Sequence, residues 1–492
     1  MVRWEYSRLL PKCANFVLPM CRMWVLYVTQ SLFTLLRKAQ ALFKDHMMLL
    51  ASCSAPMQIF AVFLTLVSGY VALLAQERAS DEQMTLKVPS SEPKNIVIIG
   101  GGIIGCSTAY FLTRHAHYNP EIHSIVILEA SRIAGGSSGK AGGLLADWAT
   151  PKCLAPLSFK THAALAKKHG GDKIWGHRSV YCADVELQAQ DVGCKVEAAN
   201  SATKDVIAQS SKVPSELDWL LPGSIKSYKE LGTPSNSGQV NPYMFTKTLA
   251  ELAEDKGAKI IIGSATAINY AEDNRSIASV QYSQNGTIHS LGATDILLSA
   301  GPWTPRLFPR VHLETPRGHS VVIQPSRNLS PYVLFPNITA PPNGSLEHIL
   351  SPEIYPRPGD RLHDFGSVYA CGPDDYDVPL PDTSESVAVD DQSCNDVWTA
   401  VKSISREIFD GKLITKQACY KPQIRTHEEG EEVGPMVGPT GIEGLWLATG
   451  HDEWGIQNGP GTGLVMSEMM FERAAKSANC DSLDPKHFLK ID

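Results

Sequence analysis

The sequence has no concentrated patch of basic residues. Its 44 lysines and arginines are scattered along the chain and are outnumbered by 51 aspartates and glutamates, which gives a formal net charge of −7. A protein that binds nucleic acid needs a positive stripe to neutralise phosphates. We therefore expect no nucleic-acid partner.

The eleven cysteines include no CxxC pair and no Cys/His spacing of the kind that zinc sites use. A disulfide framework in a small secreted domain has an even set of cysteines, and a structural zinc site needs paired ligands. We therefore expect reduced thiols and no metal ion.

Long uncharged stretches are scarce, with one exception near the amino terminus. No residue from 47 to 76 carries a formal charge, and the core at 57–75 is long enough to cross a bilayer as a helix. Two alternatives stay open. Residues 57–75 form a transmembrane helix that anchors the protein, or the leader is absent from a cytoplasmic protein that starts at Met84.

The rest of the chain is longer than a domain with a single hydrophobic core usually is, so two domains are expected. It begins with an apolar strand at 95–100, a helix at 106–117 and a second apolar strand at 124–129. Strands buried on both faces and joined by a helix are typical of a parallel sheet.

A GxGxxG motif joins the first strand to the first helix, with glycines at 100, 102 and 105. Side chains there would block the turn, hold the backbone away from a pyrophosphate and push the helix off the strand. Glu129 ends the second strand, where a carboxylate can accept hydrogen bonds from a ribose and would repel the extra phosphate of NADP. The motif predicts FAD or NAD.

Two further clusters of small residues favour FAD. One, at 132–146, follows Glu129 directly, and the other, at 450–463, again joins a strand to a helix. An extended FAD can use a second helix N-terminus to stabilise charge on its reduced ring, whereas a nicotinamide cofactor has no such need.

The remaining segments complete the expected architecture. Asn241 and Pro242 are typical of a helix start, and Gly257 of its end. Short strands dominate 311–434, with solvated excursions expected at 359–366 and 384–396. The expected divisions are a leader and linker at 1–93, a cofactor domain at 94–150, 240–310 and 435–478, and a substrate domain at 151–239 and 311–434.

Taken together, four motifs resemble the family of FAD-dependent oxidoreductases that contains D-amino-acid oxidase, glycine oxidase and sarcosine oxidase. They are IVIIGGGIIG, LEASRIAGGSSGKAGGLLA, ILLSAGPWTPRLF and GLWLATGHDEWGIQNGPGTG, and the resemblance covers about residues 94–478. IYPRPGD and VYACGPDDYDVPLP resemble fungal members that are named as oxidoreductases. The implied fold is α/β, or α+β overall, with a Rossmann-like FAD-binding domain of glutathione-reductase type and an antiparallel-sheet substrate domain.

The resemblance implies roles for particular residues and a non-covalent FAD. The three glycines of the GxGxxG motif would contact the pyrophosphate, and Ser137 and Ser138 would contact the phosphates. Glu129 would contact the ribose, and Thr266 or Ala267 would contact the adenine. Gly450, Gly455 and Thr462 would line the flavin ring. The full set of expected cofactor contacts is Gly100, Gly102, Ile103, Ile104, Gly105, Glu129, Ala130, Ser137, Ser138, Thr266, Ala267, Ala300, Gly301, Trp303, Gly450, His451, Gly455, Ile456 and Thr462.

Three residues are candidates for contact with the substrate. Lys421 stands where related amino-acid oxidases have an arginine that binds the substrate carboxylate, and Arg425 lies close by in the sequence. Glu453 stands where glycine oxidases have an arginine, so the charge is reversed. This reversal is consistent with a cationic substrate or with a site that has lost turnover.

The expected activity is oxidation of the C–N bond of an amine or amino acid by hydride transfer to flavin N5, with oxygen as the acceptor. The alternative is an inactive flavin-binding scaffold that acts through protein partners at a membrane. An NAD-linked dehydrogenase is disfavoured by the C-terminal glycine cluster.

Overall fold

A computed structural model describes residues 92–190, 213–341, 349–360, 365–424 and 433–489. The candidate span at 57–75 and the substrate contact Arg425 lie outside these ranges, as does part of the excursion expected at 359–366. Within those ranges no helix is long and apolar enough to cross a membrane, so the expected transmembrane helix is corrected to none among the described residues.

The strands are numbered in chain order. They are β1 (Lys94–Ile99), β2 (His123–Glu129), β3 (Leu144–Ala146), β4 (Arg178–Ser179), β5 (Tyr181–Gln188), β6 (Ile225–Gly232), β7 (Ser237–Gln239), β8 (Lys259–Ile262), β9 (Ser264–Tyr270), β10 (Ile277–Gln284), β11 (Thr287–Gly292), β12 (Asp295–Leu298), β13 (Leu313–Glu314), β14 (Arg317–Gln324), β15 (Tyr332–Thr339), β16 (Glu353–Arg357), β17 (Ser367–Asp375), β18 (Lys412–Tyr420), β19 (Gln423–Ile424), β20 (Met436–Pro439) and β21 (Leu445–Thr449).

The helices are numbered in the same way. They are α1 (Ile103–Leu112), α2 (Ser137–Lys140), α3 (Ala155–His169), α4 (Gly171–Ile174), α5 (Pro242–Glu254), α6 (Thr304–Leu307), α7 (Asp391–Lys402), α8 (Arg406–Phe409) and α9 (Gly455–Glu472). Helix α5 starts as the sequence predicts, because the Asn241 side chain accepts a hydrogen bond from the backbone N–H of Met244.

A six-stranded sheet in the order β20-β21-β12-β1-β2-β8 carries the predicted strand–helix–strand unit. Its pairs are parallel except β20 with β21. Ile96 and Ile98 face a core that includes residues of α1, α3, α5 and α9, while Val97 and Ile99 face a second core shared with β9 and β10. Burial on both faces explains the continuous apolar run of β1.

The other large sheet has seven strands in the order β18-β14-β17-β16-β15-β5-β6. Its pairs are antiparallel except β15 with β5. One face forms a core with α7, which packs on β14 and β17. The combination of a mostly parallel and a mostly antiparallel sheet confirms the predicted fold class.

Helix α7 shows that one expected excursion is wrong. Part of 384–396 is helical, and Cys394 is fully buried against the seven-stranded sheet. Asp390 caps the helix by accepting a hydrogen bond from the backbone N–H of Ser393. Cys394, Val397 and Val401 recur at helical spacing, so the sequence contained an apolar face that its acidic residues obscured.

The third glycine cluster also differs from the prediction. A glycine-rich turn was expected over the whole of 450–463, with a helix only after it, whereas α9 begins at Gly455 and ends at Glu472. A Cβ on Gly459 would lie 2.5 Å from Cγ1 of Ile103. Much of the cluster therefore serves close packing of α9 on α1, and the turn is confined to 450–454.

Candidate functional site

The turn between β1 and α1 requires glycine at two positions. Gly100 has a φ of +112°, and a Cβ there would lie 2.4 Å from the carbonyl oxygen of Ser299. A Cβ on Gly105 would lie 2.1 Å from the carbonyl oxygen of Gly100, so α1 could not approach the strand. The exposed backbone of this turn can therefore approach a ligand closely.

The second small-residue segment lies against the same turn. The Ser138 hydroxyl accepts a hydrogen bond from the backbone N–H of Ile103 at 2.9 Å. The N-cap residue Gly102 supplies no side-chain acceptor to α1. The first turn of α1 and the Ser138 hydroxyl together offer hydrogen-bond donors and a partial positive charge to an anion.

Glu129 lies at the carboxyl end of β2, beside this turn. Its carboxylate accepts hydrogen bonds from the backbone N–H groups of Gly101 at 2.7 Å and Ser131 at 2.9 Å. The Ser131 hydroxyl adds a third bond at 3.2 Å. A carboxylate has about four acceptor positions, so the oriented side chain keeps capacity for a ligand hydroxyl.

One cavity of about 430 Å³ follows the carboxyl edge of the six-stranded sheet. It is lined by residues that follow β2, β1, β12 and β21, which are successive neighbours in that sheet. Three strand spacings correspond to about 14 Å, so the cavity is elongated. We name its two ends by their residues: the glycine end contains Gly100, Glu129 and Ser138, and the acidic end contains His451 and Asp452.

The cavity brings together most of the cofactor contacts predicted from the sequence. Those that line it are Gly100, Gly102, Ile103, Ile104, Glu129, Ala130, Ser137, Ser138, Thr266, Ala300, Gly301, Trp303, His451 and Gly455. Sites on the first, second and third small-residue clusters therefore share one cavity, although they are far apart in the chain.

Seven other predicted site residues are not among those that line the cavity. They are Gly105, Ala267, Gly450, Ile456, Thr462, Lys421 and Glu453. Some of them support residues that do line it: Gly105 lets α1 approach β1, and the Thr462 hydroxyl lies 3.0 Å from Nε2 of His451.

A segment at 380–384 also covers the cavity, and no sequence motif indicated this role. Asp382, Thr383 and Ser384 line the cavity. The Ser384 hydroxyl lies 2.8 Å from the Ser131 hydroxyl, and the Trp303 indole donates a hydrogen bond to the carbonyl oxygen of Pro381 at 2.6 Å. These contacts join the 380–384 segment to the six-stranded sheet's edge.

His451 begins the short turn that precedes α9. Its side chain is 5% exposed, and burial lowers its pKa to about 3. The imidazole is therefore neutral at physiological pH. It can orient a ligand through hydrogen bonding, but it brings no positive charge to the cavity.

Lys421 lies just outside the cavity and is held by two carboxylates. Its ammonium lies 2.5 Å from Oδ2 of Asp374 and 2.8 Å from Oε1 of Glu453. Burial alone would lower the pKa of Lys421, but the charge of Glu453 and the hydrogen bond to Asp374 raise it above its usual value. Its positive charge is thus already balanced within the protein.

Asp452 differs from its neighbours in hydrogen bonding. Its Oδ2 accepts a hydrogen bond from the Gln423 side chain at 3.2 Å, whereas its Oδ1 is buried without a hydrogen-bond partner among the described residues. Burial, with a smaller contribution from the charge of Glu453, raises the pKa of Asp452 to about 6. A carboxylate in this state is a stronger base than usual.

A second acidic group lies on the seven-stranded sheet nearby. Glu353 accepts a hydrogen bond from the Tyr355 hydroxyl and lies 3.7 Å from the Cys371 thiol. Burial raises the pKa of Glu353, to which the charge of Glu453 also contributes. Burial likewise raises the pKa of Cys371 well above its usual value.

The residues of the cavity fit an FAD molecule. The glycine end has bare backbone at the start of one helix and an oriented carboxylate, which suit a pyrophosphate and a ribose. The acidic end reaches Gly455, at the start of a second helix. An elongated cavity with a helix N-terminus at each end matches an elongated, doubly negative dinucleotide.

Comparisons with known proteins agree with this description. The family described as FAD dependent oxidoreductase matches residues 95–469. The Schizosaccharomyces pombe protein C1F5.03c, which is named as an oxidoreductase, is 32% identical over 81% of this chain and 100% of its own. The Saccharomyces cerevisiae protein TDA3, similarly named, is 28% identical over 81% of this chain and 95% of its own.

The fold is also similar to a solved structure, glycine oxidase from Bacillus cereus. The two share 19% identity at a TM-score of 0.55, over 78% of this chain and 98% of that one. The family resemblance expected from the four motifs, including its fungal members, is thereby confirmed. The chain belongs to the family of FAD dependent oxidoreductases.

Proposed function

We propose that the protein oxidises the carbon–nitrogen bond of an amine or an amino acid, with FAD bound non-covalently and molecular oxygen as the electron acceptor. The single observation that carries this proposal is the shared cavity, which runs from Glu129 to Asp452. It joins a dinucleotide turn to a group of ionisable side chains beside the seven-stranded sheet.

The roles of the chain's own groups follow from their positions. The turn at Gly100 and the Ser138 hydroxyl would hold the pyrophosphate, and Glu129 the adenosine ribose. Ala300, His451 and Gly455 would surround the ring system. When bound, FAD supplies a two-electron acceptor for the hydride of a carbon next to an amine nitrogen.

The protein's contribution to catalysis is mainly orientation and exclusion of water. Trp454, which follows Asp452 and Glu453, packs against a buried apolar cluster that includes Tyr355, and its ring lies 6.0 Å from that of Trp148. An apolar wall of this kind would hold a small substrate in one orientation towards the cofactor, which lowers the translational and rotational entropy of the substrate before reaction.

Non-covalent binding is supported by the state of the nucleophiles near the cavity. Attachment through cysteine needs a thiolate, and burial raises the pKa of both Cys106 and Cys371. Attachment through histidine needs a free ring nitrogen, and Nε2 of His451 lies within hydrogen-bond distance of the Thr462 hydroxyl. Oxygen as the acceptor is suggested by the similarity to glycine oxidase, whose name describes that use of oxygen.

The proposal is tested on the purified full-length protein. We expect a yellow protein that releases its flavin on acid precipitation, as non-covalent binding requires. Anaerobic mixing with a panel of amines and amino acids should bleach the flavin with at least one member, and admission of air should restore the colour with release of hydrogen peroxide.

Matched compounds with oxygen in place of nitrogen provide the control. Ethanol replaces ethylamine, and lactate replaces alanine, so the carbon skeleton is kept while the C–N bond is removed. Bleaching by the oxygen compounds alone would contradict the proposed reaction. A colourless protein that binds no added FAD would contradict the cofactor assignment as well.

A further inference from the structure

We propose that the acidic end accepts a cationic amine that lacks a carboxylate group, and that Asp452 binds its ammonium and removes a proton from it. This inference rests on the proposed function, since it names the substrate class of the same site. It departs from amino-acid oxidases, in which a basic residue binds the substrate carboxylate.

The charges around the acidic end favour a cation. Asp374 and Glu453 contact the ammonium of Lys421, and Asp452 and Glu353 are two further acidic groups within reach of its charge. Lys421 already lies within 2.8 Å of two carboxylates, so a substrate carboxylate would have to displace one of them. An incoming anion would meet net repulsion instead of an anchor.

Among the described residues, no other positive group lines the cavity at its acidic end. Among the described residues that line the cavity, Arg306 carries the one permanent positive charge. Its guanidinium contacts Asp382 at 3.2 Å and the carbonyl oxygen of Leu380 at 2.9 Å, in the 380–384 segment and away from the acidic end. His451 is neutral, as described above. The described lining of the cavity therefore offers no cation to a carboxylate at its acidic end.

Asp452 is positioned to bind the ammonium. It lines the cavity, and its backbone N–H donates to the carbonyl oxygen of Pro422 at 3.1 Å, which fixes the turn. Gln423 holds Oδ2, so Oδ1 is the atom left for a ligand. The residue adopts a φ of +46°, an uncommon conformation for a residue other than glycine. A donor with several N–H groups would satisfy the buried oxygen.

The proton transfer follows from the chemistry of amines. At neutral pH most aliphatic amines are ammonium ions, whose nitrogen has no lone pair to assist oxidation of the neighbouring carbon. Transfer breaks an N–H bond, leaves the electron pair on nitrogen and forms an O–H bond on Asp452. The groups facing Asp452 are Glu453, Asp374, Lys421 and Gln423, and the burial that raises its pKa makes it a better acceptor.

The first test measures binding without turnover. The holoenzyme is titrated with tetramethylammonium and, separately, with pivalate, which have similar shapes and opposite charges. Binding is followed through the flavin absorbance spectrum and through the thermal midpoint. We expect tetramethylammonium to bind more tightly than pivalate by about tenfold or more, with affinity falling as the pH drops below about 6. Equal or tighter binding of pivalate overturns the proposal.

Two variants assign the effect to Asp452. D452N keeps the shape and the hydrogen bond to Gln423 but removes the charge, so the preference for tetramethylammonium should fall by about tenfold and lose its pH dependence. E272Q removes a charge from the exposed turn between β9 and β10 and should bind like the wild type. If D452N keeps the wild-type preference and pH dependence, Asp452 is not the anchor.

The second test uses turnover with matched pairs: ethylamine with alanine, phenethylamine with phenylalanine, and cadaverine with lysine, in both enantiomers of each amino acid. The amine of a pair should bleach the flavin faster than its amino acid. D452N should raise KM for the amine and move the rise of kcat with pH to a higher value, and D452E should restore part of both.

The outcomes separate the two proposals. If amino acids bleach the flavin and the matched amines do not, the cationic substrate is wrong while C–N oxidation stands. If neither class bleaches the flavin, the proposed function is contradicted for both classes, and the titration with tetramethylammonium and pivalate still decides whether the acidic end selects cations.

Discussion

The two ends of the cavity are built from different chemical groups. The glycine end uses the bare backbone of the turn from Gly100 to Gly102 and the start of α1, with one oriented carboxylate at Glu129. The acidic end uses side chains: Asp452 lines the cavity, and Lys421 is paired with two carboxylates beside it. A site made of backbone groups requires residues without bulky side chains. A site made of charged groups requires the fold to bring particular side chains together. The first suits a cofactor that the family shares, and the second can change with the substrate.

The largest expected effect is at the glycine end. In G105A the new Cβ would lie 2.1 Å from the carbonyl oxygen of Gly100, an atom of the backbone that cannot rotate away. Helix α1 must shift, which costs about 1–3 kcal/mol in a packed interior and moves the first turn away from the phosphates. We expect purified G105A to contain little or no flavin, measured as the ratio of flavin to protein absorbance.

The matched control for this change is G292A, at the end of β11. No heavy atom lies within 4 Å of a Cβ built on Gly292. Its flavin content should equal that of the wild type. A G105A protein with full flavin content would show that close approach of α1 to β1 is not needed for the cofactor.

An effect of intermediate size is expected at the acidic end, where the buried charge of Asp452 should lower the free energy of unfolding. The pKa of Asp452 is raised to about 6 in the folded protein, so the folded state binds more protons than the unfolded state between its ordinary pKa and about 6. Stability from this group is therefore present at low pH and lost as the pH rises. A pKa that differs by one between the folded and unfolded states corresponds to about 1.4 kcal/mol of unfolding free energy.

D452N removes this dependence. We expect the variant to be more stable than the wild type by about 1–2 kcal/mol at about pH 8, and by much less at about pH 4, measured by chemical unfolding of the holoenzyme. Asparagine tolerates a positive φ, so the turn should be kept. A variant that is less stable at every pH would indicate that Asp452 has a stabilising partner in the folded protein.

The difference between the two ends of the cavity also explains which site residues could be predicted from the sequence. At the glycine end the geometry requires particular residue types. A φ of +112° selects glycine at 100, and a Cβ at 105 would lie 2.1 Å from the carbonyl oxygen of Gly100. The βαβ unit and Glu129 follow from apolar runs of the right length. Local rules of this kind, together with the family resemblance, are the reason that fourteen of the nineteen expected cofactor contacts line the cavity.

At the acidic end such rules have no equivalent. Asp374 is at the end of β17 and Glu453 is next to α9, and only the tertiary fold brings both to Lys421. The aligned position of Lys421 suggested a contact with a substrate carboxylate, because its partners were not visible in the sequence. The 380–384 segment was missed for the same reason: its contacts, Ser131 and Trp303, belong to the other sheet's edge.

The smallest effect is expected for a variant that tests whether the 380–384 segment helps the glycine end to hold the cofactor. In W303F the aromatic ring is kept, but the hydrogen bond of 2.6 Å from the indole to the carbonyl oxygen of Pro381 is lost. A single such bond contributes about 1 kcal/mol, so FAD release should accelerate by about fivefold if the segment retains the cofactor. The rate is measured from the rise in flavin fluorescence after dilution.

W398F is the corresponding control, because Trp398 lies on α7 and contacts Lys402 instead of the cavity. It should release FAD at the wild-type rate. If W303F also does so, the 380–384 segment covers the cavity without holding the cofactor, and retention depends on the rest of the cavity lining. If W303F releases FAD faster, a segment attached to the seven-stranded sheet contributes to the glycine end, so changes in the substrate sheet can alter the lifetime of the bound cofactor.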